Sequence, residues 1–195
     1  MSREQAYNTT ITPQDRVCPW QRVRLFDNFL RTLLHNPERL FAPYVRPGMT
    51  VMDLGCGAGF ASIGLAKLVG QKGLVISADL QPEMLDMVSE RAQRAGLSDR
   101  IRTHQCQPDR VGIYEQVDFV VAFWMVHEVP DREGLAKEIH AVLRPEGLFF
   151  VAEPKMHVSR EDFETTIHET QNTGFAVLER PCVRFSRTAV LSRIA

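Results

Sequence analysis

The sequence predicts a doubly wound α/β domain, a mostly parallel sheet with helices on both faces. Three observations carry this. Short apolar runs alternate with helix-period runs from residue 50 to the C-terminus. One of them, Val117–Phe123, is apolar at almost every position, as a strand covered on both faces must be. The third is a set of glycines, Gly55, Gly57 and Gly59, where a strand gives way to a helix. Open α/β sheets bind ligands at that edge.

The chain begins with helical material. Val23, Phe26, Phe29, Leu30, Leu33 and Leu34 recur at helical intervals and share one face. Asn36-Pro37 reads as an N-cap and first helical residue. The short helix that follows carries Leu40, Phe41, Tyr44 and Val45 and is bent or interrupted at Pro43, and Pro47-Gly48 is a turn. Thr50–Leu54 is the first strand, Phe60–Val69 a helix and Leu74–Asp79 the second strand. Pro82 opens a helix whose inward face is Met84, Leu85, Val88, Ala92 and Ala95, closed by Gly96. Ile101–Gln105 and Val117–Phe123 are strands three and four. Asp131 caps a helix that buries Leu135, Ile139, Val142 and Leu143. Leu143-Arg-Pro-Glu-Gly147 is expected to end that helix and turn into a fifth strand, Leu148–Ala152. Ser159-x-x-Asp162 resembles a capping box for a helix presenting Phe163 and Ile167 and stopping near Gly174. Strands Phe175–Glu179 and Thr188–Ile194 complete the sheet.

At 195 residues, 44% hydrophobic and 24% charged, the chain is sized and composed for a single globular domain. A formal net charge of −1 gives no broad basic field toward nucleic acid or anionic lipid. No apolar run nears the roughly 20 residues of a membrane span, and Met1–Thr12 lacks the apolar core of a signal peptide. Cys18, Cys56, Cys106 and Cys182 are scattered, with no C-x-x-C pair, which fits a reducing compartment better than a disulfide framework or a zinc site. A cytoplasmic protein without a bound metal is the expectation.

The glycine loop narrows the ligand. A phosphate-binding P-loop needs G-x-x-x-x-G-K-[ST], which is absent. A dinucleotide fingerprint needs a glycine where this chain has Phe60, whose bulk opposes close approach of a pyrophosphate. Asp53 before the loop suits a ligand bearing an ammonium group rather than two phosphates. Asp79, ending the second strand, is placed to accept hydrogen bonds from both hydroxyls of a ribose.

Asp53-Leu-Gly-Cys-Gly-Ala-Gly59 resembles the first motif of class I S-adenosylmethionine-dependent methyltransferases. Ser77-Ala-Asp-Leu80 is similar to their second motif and Val117-Asp-Phe-Val-Val-Ala-Phe123 to their fourth. Leu143-Arg-Pro-Glu-Gly-Leu-Phe-Phe150 is similar to the L-[KR]-P-G-G segment before their fifth strand. The nearest branch is the UbiE-like, or type 11, small-molecule group. The resemblance implies a seven-stranded sheet of order 3-2-1-4-5-7-6 with the last strand antiparallel, in a core over residues 46–195. Residues 1–45 would form a helical cap or lid, with Tyr7, Cys18, Pro19 and Trp20 near the acceptor. It also implies a cofactor-contacting set of Asp53, Gly55, Cys56, Gly57, Gly59, Asp79, Leu80, Gln107 and Phe123. Asp53 would sit near the ammonium, Asp79 on the ribose and Leu80 on the adenine. Gln107 stands where many members carry an acid toward the adenine amino group. Cys56 is a small loop residue with no redox role.

Methyl transfer needs its reactants held in line, and a base only when the nucleophile must lose a proton. Phe123-Trp-Met-Val-His-Glu128 is the segment that faces the acceptor in this family. It offers His127 as a catalytic base and Trp124 as a pocket wall or a cation–π partner of the sulfonium. Glu153, Lys155 and His157 lie just past the fifth strand, with Glu153 and His157 as acceptor-pocket candidates. Arg184 and Arg187 are candidates for an acidic acceptor. The acceptor is expected to be a small molecule, because the chain has no basic stripe and Ala122-Phe-Trp-Met125 replaces the N/D-P-P-[YF] signature of base-methylating enzymes. A protein that binds the cofactor without transferring its methyl group is the competing reading.

Overall fold

The computed structural model describes residues 35–194. The expected helix over Val23–Leu34 and the residues Tyr7, Cys18, Pro19 and Trp20 lie outside the described residues.

The elements are α1 (Pro37–Phe41), β1 (Thr50–Leu54), α2 (Phe60–Val69), β2 (Leu74–Asp79) and α3 (Pro82–Arg94). Then come β3 (Ile101–Gln105), β4 (Val117–Phe123), α4 (Arg132–Val142), β5 (Leu143–Pro154), α5 (Arg160–Gln171), β6 (Phe175–Glu179) and β7 (Ser186–Arg193). The seven strands form one sheet of order β3-β2-β1-β4-β5-β7-β6. Strands β1 to β5 pair in parallel, while β7 runs antiparallel to both β5 and β6. The expected order and the antiparallel last strand are both present.

Alternation along each strand sends side chains to two apolar layers. Val51, Val75, Phe119, Val121, Phe150 and Ala152 pack with α1 and α2 around Phe41 and Leu65. Met52, Ile76, Val120, Ala122, Phe149 and Val151 pack with α4 and α5 around Ile139, Phe163 and Ile167. The same alternation places Asp53 with the first layer and Glu153 with the second. Caps act as the sequence indicates. Asn36 accepts from the Arg39 N–H at 3.0 Å, Asp131 from Gly134 at 2.8 Å and Ser159 from Asp162 at 3.0 Å.

Several details differ from expectation, among them the end of β5 at Pro154, the end of β7 at Arg193 and a half-buried Leu135. Helix α1 ends at Phe41, although the N–H of Val45 still reaches the Phe41 carbonyl at 3.0 Å. Ala95 is exposed because α3 has ended before it. Strand β5 begins at Leu143: that residue pairs with Val117 and the register then jumps to Phe119–Leu148, so Arg144–Gly147 loops out of a strand already under way. Strand β7 starts two residues early, because Ser186 and Arg187 pair with Pro154 and Glu153.

Candidate functional site

The carboxyl ends of β1, β2, β4 and β5 share one edge of the sheet. Gly55, Gly57 and Gly59 have φ of 64°, 51° and 88°, left-handed values that a side chain resists. They turn the chain from β1 into α2. Their surroundings differ. A Cβ at Gly55 would lie 2.7 Å from Met125 Cγ, so the loop after β4 packs directly on the glycine turn. A Cβ at Gly57 would meet nothing within 4 Å, so open space borders the loop there.

Asp79 closes this turn. One carboxylate oxygen accepts the Gly57 N–H at 2.9 Å and the other accepts the Gln81 N–H at 3.0 Å. Burial raises its pKa, and the bonds from the Gln81, Gly57 and Leu80 N–H groups oppose that rise. A carboxylate has about four lone-pair sites, so these three N–H groups leave it able to accept from a ligand hydroxyl. Leu80 beside it is 36% exposed, an apolar surface at the rim. Gln107 is also exposed, but its amide oxygen accepts the Arg110 Nε–H at 2.9 Å. The adenine contact expected of that oxygen would have to share it with Arg110.

Asp53 faces the α2 layer and is buried. Ser62 donates to its carboxylate at 2.5 Å, and Ser77 donates to Ser62 at 2.8 Å, a chain that ties β1, α2 and β2 together. Burial, followed by the charges of Asp53 and Asp79, pushes the Cys56 thiol well up, so it stays protonated and unreactive. Burial likewise raises Cys106 to about 12.

On the other side of the edge, Trp124 has a φ of 65°, uncommon for a bulky residue. Its N–H bonds the Ala152 carbonyl at 2.7 Å, and its indole N–H donates to Ser186 at 2.9 Å. Phe123, Phe60 and His35 complete an aromatic cluster, with the rings of His35 and Trp124 5.6 Å apart. His35 escaped the sequence reading. It is 5% exposed and donates from Nε2 to the Arg184 carbonyl at 2.7 Å, while Nδ1 has no partner among the described residues. No local signal marks it, because its partner lies 149 residues away.

Glu153 is 1% exposed. One of its oxygens accepts the Val126 N–H at 2.8 Å and the other pairs with His127 Nδ1 at 2.5 Å. It therefore holds the loop and the imidazole rather than lining an open pocket. Burial acts to lower the His127 pKa, but the hydrogen bond and charge of Glu153, with the charge of Glu128, outweigh it and raise the pKa. His157 is exposed, with its ring 6.1 Å from that of His127. Arg187 donates to the Val158 carbonyl at 3.2 Å and is a tie within the fold, whereas Arg184 is exposed and lies over the Phe185 ring at 5.0 Å. Among the described residues no group of His, Cys, Asp and Glu is arranged to hold a metal ion, and no helix is long and apolar enough to cross a membrane.

A glycine turn locked to a carboxylate at the tip of the neighbouring strand stands where the methyltransferase resemblance places the cofactor. Comparison with known proteins agrees. Residues 46–183 match the family described as a methyltransferase domain. A demethylmenaquinone methyltransferase of Lactobacillus johnsonii is 35% identical over 104 residues, which cover 53% of this chain and 43% of that enzyme. A carboxy-S-adenosyl-L-methionine synthase of a Geobacter species is 28% identical over 155 residues, 75% of this chain and 63% of that one. The crystal structure of an S-adenosylmethionine-dependent methyltransferase from Aquifex aeolicus superposes with a TM-score of 0.80 at 24% identity, covering 92% of this chain and 100% of that one. The chain belongs to the class I S-adenosylmethionine-dependent methyltransferases. Its match spans less than half the length of the Lactobacillus enzyme, 43%.

Proposed function

We propose that this protein transfers the methyl group of S-adenosylmethionine to a small-molecule acceptor. One observation carries the reading: the Asp79 carboxylate is bonded to Gly57, and beside Gly57 there is room for a ligand. Bound there, S-adenosylmethionine supplies a methyl group made electrophilic by its sulfonium.

The residues fit that ligand. Asp79 offers lone pairs to the ribose hydroxyls, Leu80 an apolar face to the adenine, and Gln107 a polar group at its edge. Gly55, Cys56, Gly57 and Gly59 let the methionine moiety approach the backbone, with Asp53 supplying negative charge beneath its ammonium and Phe123 closing the wall. Trp124 and His157 border the acceptor side, with Glu153 buried behind His127, and His127 is the group that can take a proton. Asp53, Asp79 and Glu153 place three buried carboxylates along an edge that receives a cation, which favours binding by charge. A small-molecule acceptor and a cytoplasmic setting go with the net charge of −1 and the free thiols of Cys56, Cys106 and Cys182.

Calorimetric titration with S-adenosylmethionine, S-adenosylhomocysteine and NAD tests this. Both adenosyl compounds should bind and NAD should not. Asp79→Ala removes charge-assisted hydrogen bonds of about 1.5–3 kcal/mol, so affinity for both should fall about 10- to 100-fold. Preferential binding of NAD, or adenosyl affinity indifferent to Asp79, would sink the reading.

A further inference from the structure

We propose that two neighbouring turns, one after β5 and one between β6 and β7, form a docking surface for an anionic lipid bilayer. Such a contact goes beyond the methyl-transfer reading and needs no cofactor.

The two turns adjoin. Strands β5 and β7 pair as far as Pro154 and Ser186, and just beyond them the Lys155 N–H donates to the Phe185 carbonyl at 2.9 Å. The first turn is Pro154-Lys-Met-His-Val158, closed by the Val158 N–H on the Pro154 carbonyl at 2.9 Å. The second is Val183-Arg-Phe-Ser186, closed by the Ser186 N–H on the Val183 carbonyl at 3.1 Å. Met156 is 86% exposed and Phe185 is 48% exposed. One exposed apolar side chain is ordinary on a protein surface. Phe185 is not ordinary, because its φ of 59° is left-handed, a conformation that suits glycine at the third position of a turn. A bulky residue there is strained, and strain of this kind gathers where a protein binds something.

Charge points to the partner. Lys155 and Arg184 stand on the two turns, and neither turn carries an acid. Both cations are exposed, and neither forms an ion pair among the described residues. The Arg184 guanidinium lies 5.0 Å from the Phe185 ring centroid, so cation and ring are presented together. A net charge of −1 for the whole chain hides this local excess. Apolar side chains flanked by cations suit a membrane surface: the apolar groups enter the boundary of headgroups and acyl chains, and the cations meet lipid phosphates. Nucleic acid would engage the cations but gains little from Met156. The second turn is also held firmly at its base. The Arg184 carbonyl pairs with His35 Nε2 at 2.7 Å, Ser186 accepts the Trp124 indole N–H at 2.9 Å, and the Thr188 hydroxyl donates to the Pro181 carbonyl. Docking therefore orders little that is not already ordered, and it brings Trp124 toward the lipid surface.

The test sediments the full chain with vesicles of phosphatidylcholine alone, or of phosphatidylcholine and phosphatidylglycerol in equal parts. Binding to the mixed vesicles should be about 10-fold or more the stronger, since each cation contributes about 5-fold at such a surface, and it should weaken at high salt. Met156→Ser and Arg184→Glu should each lower binding to the mixed vesicles about 10-fold. Phe185→Gly suits the left-handed turn, so its urea midpoint should hold or rise while binding also falls about 10-fold. Equal binding to both kinds of vesicle, binding indifferent to all three substitutions, or tighter binding to a single-stranded oligonucleotide overturns the assignment. So does a lowered urea midpoint in Phe185→Gly with vesicle binding unchanged, which would make Phe185 a packing residue. A dimer that Met156→Ser dissolves would make the partner a second copy of this chain, and overturns it too. Should Arg184→Glu fail to fold, Met156→Ser, at an almost fully exposed position, still decides. S-adenosylhomocysteine is absent throughout, so failure of the methyl-transfer reading would leave the outcome unchanged.

Discussion

The two ends of the sheet's functional edge are built in opposite ways. The proposed cofactor end comes from one βαβ unit: Asp53, the glycine turn, Ser62, Ser77 and Asp79 all lie between β1 and the close of β2. Its hydrogen bonds join residues 9 to 22 positions apart. The proposed acceptor end is assembled from distant segments. His35 meets Arg184 149 residues away, Trp124 meets Ser186 at a separation of 62, and Glu153 meets Val126 and His127 at separations of 27 and 26. A contiguous unit can keep its geometry while the rest of the chain changes, because its contacts lie within one stretch of sequence. An edge assembled from several loops can be altered one loop at a time, which is where one fold acquires different acceptors.

Substitutions at two glycines would probe the cofactor end most strongly. Gly55→Ala drives a methyl group toward Met125 Cγ, 2.7 Å away, in a left-handed conformation. Overpacking and backbone strain together should cost about 2–4 kcal/mol in urea unfolding. Gly57→Ala carries the strain alone, about 1–2 kcal/mol, because nothing lies within 4 Å. Its added methyl should instead occupy ligand space and lower S-adenosylhomocysteine affinity about 10-fold or more while the fold persists. Equal stability loss in the two variants would break the distinction between a packed glycine and an open one.

At the acceptor end, Glu153→Ala leaves the buried Val126 N–H unpaired and removes the partner of His127. A loss of about 2–3 kcal/mol is expected, seen as a lower urea midpoint with the slope unchanged. A change under about 0.5 kcal/mol would mean that the bonds of Glu153 to Val126 and His127 add no net stability.

Stability should also carry a pH signature. His127 has a folded pKa above its unfolded value of about 6.5, so the folded state binds the proton more tightly. Its contribution is fully present below about pH 6.5 and is lost as pH rises through the folded pKa. The stability difference between the unmodified protein and His127→Gln should therefore shrink from acid to mildly alkaline pH, measured by urea unfolding across that range. Base function runs the other way, because only the neutral ring accepts a proton.

The smallest effect is expected at the opposite edge of the sheet. There Asp118 accepts from the Thr50 N–H and from Arg144, each at 2.8 Å, and ties the start of β4 to its neighbours. Arg144 is 52% exposed, so Asp118→Asn should cost under about 1 kcal/mol and leave cofactor affinity unchanged. A loss of cofactor binding in that variant would mean the two edges are coupled.

Read from sequence alone, the bounds of β1, α2, β2, β3, β4 and β6 agree with the structure residue for residue. So do the glycine turn and its partner Asp79. Periodicity, N-caps and glycine positions are local properties, and a hydrogen bond spanning one strand–helix–strand unit is constrained by the spacing of the residues themselves. The start of β5 was not legible, because Pro145 and Gly147 read as a turn while pairing with Val117 holds Leu143 in the strand. Nor was the task of Glu153, which looked like a loop acid lining a pocket. Register decides it: Phe123 pairs with Ala152, so the residue after Ala152 comes beneath the turn that carries Val126 and His127. The sequence by itself determined the fold, the glycine turn and the place of Asp79 at the end of β2. Only the tertiary structure decided which side chains meet across the acceptor edge. Hydrogen bonds act over about 3 Å, and whether distant residues come that close depends on strand pairing that no local pattern encodes.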